Sequence, residues 1–207
     1  MGGLLRVVLI AKNLPPLNDE KELLKHSFFT FLVDGISRAC SHQLVRHRPA
    51  SYSQQSQRYV AMVNFPYVTP DSVKGKSVYI EGKRLSYEKL MALVGKFYEG
   101  LVEQGVPKED ARFVLPNACA TRIVFTMNGE ELVHFLRLRT CSRAQWEIRD
   151  LAVSVLKLLR REVSGLFDRV GPNCYYLGYC TEGKKSCGRP DEVRRYFSTL
   201  NEEEENA

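Results

Sequence analysis

The stretch Arg46-His47-Arg48-Pro49-Ala50-Ser51-Tyr52-Ser53-Gln54-Gln55-Ser56-Gln57-Arg58-Tyr59 passes from cations to hydroxyls and amides and back to a cation. Pro49 has no N–H to donate, and its ring clashes with the preceding turn, so a helix before it ends here. Upstream, Ile36, Ala39, Cys40 and Val45 recur at helical spacing and predict a helix over residues 37–46. Gly35 separates that helix from an expected strand over residues 28–33. Downstream, a polar loop runs through Gln57 and gives way to an alternating pattern over residues 59–67, which reads as a strand. The basic cluster is thus delivered by a helix end to a polar loop with regular structure on both sides.

Farther out, residues 5–11 read as a short apolar strand, and Asn18 as the cap of a helix over residues 19–26 with acids in its first turn. Leu90, Leu93, Val94, Phe97 and Leu101 mark an amphipathic helix over residues 87–104, closed by Gly105. Residues 107–110 suit a first helical turn, and residues 121–127 are a β-branched and aromatic run suited to a strand. Helices are expected over 129–139 and 144–164. There is no internal repeat and no regular βαβ alternation, so the expected fold is α+β: a single compact catalytic domain over residues 1–207, with a mixed sheet and flanking helices. Within it, residues 171–207 form a Gly-, Cys- and Lys-rich tail expected to be partly flexible, ending in the acidic run 202–205, which reads as solvated.

The 207 residues carry 44% apolar and 26% charged side chains, a balance that excludes collagenous, disordered and membrane-embedded classes. No apolar run reaches the roughly 18–20 residues a spanning helix needs, and the stretch 4–11 lacks a signal-peptide cleavage pattern, so the cytoplasm is expected. Six cysteines without a secretory signal read as reduced thiols. A net charge of +6 favours anionic ligands such as phosphates or nucleotides.

The basic segment is suited to an anion attached to a heterocycle. Arg46, Arg48 and Arg58 offer planar forks that match phosphate oxygens, while Gln54, Gln55, Ser56 and Gln57 can bond a phosphate, a ribose or a base edge. The competing reading is a basic single-stranded nucleic-acid-binding module, in which Tyr52 and Tyr59 stack bases between the arginines. Ser56 lies in no nucleophile elbow. Residues 178–185 miss a phosphate-binding loop, because Lys185 stands where the Ser or Thr belongs. Cys174, Cys180 and Cys187 offer three thiolates to zinc, but C-x-x-C pairs and a fourth ligand are missing from the pattern, so no metal is expected.

The order of residues resembles the signature of flavin-dependent thymidylate synthases: Arg46-His47-Arg48, then Ser56 at the family's interval, then Arg58-Tyr59. The resemblance extends upstream through Phe28-Phe29-Thr30-Phe31, Gly35-Ile36-Ser37-Arg38-Ala39 and Ser41-His42-Gln43-Leu44-Val45. Downstream it takes in Ala111-Arg112-Phe113-Val114-Leu115-Pro116, Asn128, His134, Leu138-Arg139 and Ala144-Gln145-Trp146-Glu147-Ile148-Arg149. It implies a thymidylate synthase-complementing-like fold and a homotetramer with shared nucleotide sites. The implied reaction is reductive methylation of dUMP to dTMP, with 5,10-methylenetetrahydrofolate as carbon donor and FADH2 regenerated by NADPH. By position, Arg46, His47, Arg48, Gln54, Asn128 and His134 match FAD contacts. Gln43, Arg46, Gln54, Ser56, Arg58 and Arg112 match dUMP contacts, with Gln55 and Gln57 in the same loop, and Arg139 matches the catalytic arginine beside the uracil ring. Nucleic acid and membrane are not expected partners. Two positions depart from the family: Lys25 precedes His26 where Glu is frequent, and Glu130 stands where some members carry a basic residue.

Overall fold

The computed structural model describes residues 5–62, 64–163 and 165–200. Leu4, Val63, Ser164 and the acidic run 202–205, each part of a sequence expectation, lie outside the described residues. Strands β1 (Arg6–Asn13), β2 (Phe28–Ser37), β3 (Ala50–Gln54) and β6 (Ala120–Asn128) form one sheet in the order β1-β2-β6-β3. Strands β4 (Ser77–Ile80) and β5 (Lys83–Ser86) form an antiparallel ribbon. Eight α-helices accompany them among the described residues: α1 (Glu20–His26), α2 (Arg38–Leu44), α3 (Tyr87–Glu103), α4 (Lys108–Ala111), α5 (Gly129–Arg139), α6 (Trp146–Glu162), α7 (Asn173–Tyr176) and α8 (Pro190–Ser198). The fold is α+β.

Four local expectations are corrected. Asp19, not Asn18, caps α1, its carboxylate accepting the Glu22 N–H at 2.8 Å. Gly35 does not end the strand. It adopts φ +87°, open to a residue without Cβ, and β2 continues to Ser37. The described residues of the alternating run 59–67 form no strand: Asn64 is left-handed at φ 48°, Pro66 cannot donate to a ladder, and among them only Tyr67 makes a bridge, to Cys119. Conversely, the polar segment 50–54 is β3, the last strand in the sheet order, with Ala50, Tyr52 and Gln54 half-buried between exposed serines.

The chain divides into two compact units, the first comprising Val33–His42 and Ser53–Ile123 with the described part of Met1–Arg6, the second Val7–Leu32, Gln43–Tyr52 and Val124–Ala207. In the first, α3 is capped by Ser86, and Met91 and Tyr98 on its inner face pack with Met62, Phe65, Ala111 and Cys119. In the second, α6 buries Ile148, Leu151, Ala152, Val155, Leu156 and Leu159, a stripe at helical spacing whose larger members contribute about 1.5–3 kcal/mol each. Phe31 stacks on Phe125 at 5.1 Å, and Phe29 meets Phe167 edge-on at 5.4 Å. Arg160 is buried on α6, and its guanidinium is satisfied by the carbonyls of Phe167, Val170 and Phe197.

Candidate active site

In the second unit, helix α5 organises the chemistry around His47. The helix starts at Asn128, whose Oδ1 accepts the Glu131 N–H at 2.8 Å. Glu131, Phe135 and Arg139 follow at four-residue intervals and therefore share one face. All three meet His47. Its ring lies edge-on to Phe135 at 5.0 Å, Nδ1 is 2.9 Å from Glu131 Oε1, and Arg139 Nε donates to Nε2 at 3.1 Å. Because Nε2 accepts, the proton of the neutral ring sits on Nδ1 and is donated to Glu131. Burial is the main cause holding the His47 pKa below the ordinary imidazole range. The bond to Glu131 opposes it, and the Arg139 charge adds to the depression.

The loop carrying His47 is pinned by Tyr52, whose hydroxyl lies 2.9 Å from the Leu44 carbonyl oxygen and 2.8 Å from that of His47. Arg46 and Arg48 on either side are exposed, and among the described residues neither has an ion-pair partner. Exposed His134 lies 5.7 Å from His47, ring to ring. It borders a cleft of about 580 Å3, also lined by Leu24, Glu130, Arg137 and Tyr176. Gln43 lies at 3.5 Å from Gln145, the residue that caps α6. His47, Glu131 and His134 present ligand atoms within 4.8 Å of one another. Both His47 nitrogens are already engaged, and a guanidinium adjoins the group, which disfavours a cation there.

In the first unit, Gln54 Nε2 donates to Ser41 Oγ at 2.9 Å and to Thr121 Oγ1 at 3.3 Å. Gln55 is bonded through its backbone N–H to the Arg122 carbonyl, Ser56 Oγ accepts the Arg58 N–H, and Gln57 begins the turn that follows. Arg58 forks onto Glu109 Oε2 through Nε at 2.8 Å and Nη2 at 2.6 Å, while Arg112 Nε donates to the Glu109 carbonyl. Arg38 has a buried Nε without a partner, and burial, then the nearby Arg112 charge, lowers its pKa. An unpaired buried donor beside a like charge is a place for an anion. The sequence reading missed Glu131 and Glu109. Glu131 had a signal in its spacing to Arg139, but Glu109 had none, because its partner Arg58 is distant in the chain.

The described residues therefore present a neutral, tautomer-locked histidine bearing on an arginine, two exposed guanidinium groups in the adjoining loop, and a separate arginine group suited to phosphate. A family model described as thymidylate synthase complementing protein matches residues 17–163. The flavin-dependent thymidylate synthase of Geobacter sulfurreducens is 51% identical over 182 residues, covering 87% of this chain and 76% of that protein. Proteins of the same name are 44% identical in Clostridium tetani, over 84% of this chain and 74% of theirs, and 46% identical in Thermococcus onnurineus, over 79% and 69%. The chain belongs to the thymidylate synthase complementing protein family.

Proposed function

We propose that this chain is a flavin-dependent thymidylate synthase, a methyltransferase that converts dUMP to dTMP. The family match carries this reading, because residues 17–163 take in every residue named above for ligand binding. Nothing in the comparisons supports the nucleic-acid-binding alternative.

The residues present fit a bound flavin dinucleotide. Among the described residues the Arg46 and Arg48 side chains have no ion-pair partner and suit its pyrophosphate, and the cleft bordered by His134 falls within the usual range for a ligand site, about 300–1,000 Å3. No G-x-G-x-x-G occurs in the sequence, so phosphate holding falls to side chains. When bound, FAD supplies reducing equivalents drawn from NADPH, and methylenetetrahydrofolate supplies the carbon. The protein binds and orients. Gln43, Gln54, Gln55, Ser56 and Gln57 approach the nucleotide, and Arg58 and Arg112 hold its phosphate, the Arg58 fork exchanging Glu109 for a phosphate oxygen. Asn128 fixes the start of α5 and approaches the flavin from there. Arg139, with Nε held on His47, presents its remaining N–H groups to the uracil edge and stabilises negative charge developing there.

The proposed enzyme is a homotetramer with active sites shared between chains. It works in a reducing compartment, the cytoplasm, in keeping with six cysteines that are all free thiols. No helix among the described residues is long and apolar enough to cross a membrane. Purified protein is expected to be yellow, with bound flavin eluting at the mass of four chains. Colourless protein that binds oligonucleotides with steep salt dependence would favour the other class.

A further inference from the structure

The sequence leaves three tail cysteines without a fourth partner, and the fold supplies it. Cys141, just beyond the end of α5, lines the same small cavity as Cys174 of α7 and Cys180 and Cys187 of the turns that follow. All four are free thiols, and no other cysteine lines that cavity. Burial is the first cause raising the Cys141 and Cys174 pKa values. The neighbours add to it: the Glu182 charge, then Cys187 and Cys180, act on Cys141, and the three other thiols act on Cys174.

The cavity measures about 20 Å3, enough for one water-sized particle and far too small for a nucleotide, a flavin or an iron–sulfur cluster. We propose that Cys141, Cys174, Cys180 and Cys187 bind one zinc ion as a structural tetrathiolate centre. Soft thiolates in a tetrahedral set select a d10 cation of this kind. Each thiol releases its proton to solvent as its sulfur bonds the metal, leaving a dianionic centre. Arg137 and Arg143 line the cavity beside a single carboxylate, Glu182, and offset part of that charge.

Among the described residues His47, Glu131 and His134 form the only group of three or more His, Cys, Asp or Glu side chains whose ligand atoms all lie within 4.8 Å of one another, so the thiols must draw inward to bind. Bonds of about 2.3 Å impose sulfur–sulfur distances near 3.8 Å. The 178–188 segment is suited to that movement. Gly178, Gly183 and Gly188 take positive φ with open space around them, while Arg194 Nη1 anchors the loop through the Gly178 carbonyl at 2.6 Å. The centre would tie the end of α5 to α7 and the start of α8, where regular structure is short. It is independent of the catalytic reading.

The test is metal analysis of the reduced full-length chain, followed by cobalt(II) substitution. The expected result is one zinc per chain and, with cobalt, the visible bands of a tetrahedral all-thiolate site. Cys180→Ser and Cys187→Ser should each lower zinc retention against a chelator by about tenfold or more, while Cys40→Ala keeps it. A chelator should lower the Tm of the wild type but not that of Cys180→Ser. Should the variants fail to fold, wild-type stoichiometry decides alone. Less than about a tenth of an equivalent of zinc, iron with labile sulfide in its place, or paired disulfides under reducing conditions each overturn the proposal. Cobalt bands that survive both Ser substitutions do so as well.

Discussion

Arg139 has a structural claim and a chemical one on the same guanidinium. As a cation in the last turn of α5 it complements the helix dipole, and Nε is held by His47 at 3.1 Å. Lysine keeps the charge near the helix end but cannot bond His47 and still present a planar fork. Arg139→Lys should therefore leave stability largely intact while dTMP formation falls by about 10²–10³, with flavin reduction by NADPH much less affected. Equal loss of both half-reactions would point to a damaged flavin site instead. His47 makes a second, pH-dependent prediction. Burial holds its folded pKa below the roughly 6.5 of an unfolded imidazole. The unfolded state thus binds more protons as pH falls below about 6.5, and stability is lost from there down through the lowered folded pKa. Thermal unfolding followed across that window should show the decline, and His47→Asn should flatten it. An unchanged slope would mean the ring is not held neutral. The basic segment was legible from side-chain types in order. Glu131 and Glu109 were not, because they act through partners that only the fold brings to them.

Helix α5 is placed by close approach at its first residue. A Cβ on Gly129 would lie 2.7 Å from the Leu24 carbonyl oxygen of α1 and 2.9 Å from its Cα, and Gly129 N–H already bonds the Ser27 carbonyl. Since the obstacle is backbone, Gly129→Ala should destabilise by about 1–3 kcal/mol and shift α5, and with it the His47–Arg139 bond. Urea unfolding and flavin content measured together check this, and a variant as stable as the wild type would show that α1 yields freely. Helices α3 and α5 were legible because their apolar spacing and caps agree. Strand β3 was hidden by its Ser and Gln side chains, which lack the β-branched signal. The β4–β5 ribbon turns at Glu81-Gly82, both at positive φ, and its outward Val78, Tyr79 and Ile80 are exposed, so no buried face announced it. Pro190, which argues against a helix through it, opens α8 at a position where its missing N–H costs nothing.

At the scale of the molecule, the α+β class followed from irregular alternation of helix and strand. The division into two units did not, since each is assembled from segments far apart in sequence. Of the proposed flavin contacts, Arg46, His47, Arg48, Asn128 and His134 belong to one unit and Gln54 to the other, which also carries the proposed phosphate contacts Arg58 and Arg112. Binding of either ligand alone is therefore a weaker test of function than turnover. The direct measurement is an anaerobic assay in which the purified chain receives dUMP, methylenetetrahydrofolate and NADPH, with dTMP quantified by mass. Formation of dTMP that requires all three additions, and that stops when the flavin is removed and resumes when FAD is restored, is the expected result. No dTMP from a folded chain saturated with FAD, or dTMP formed equally well without any flavin, would contradict it.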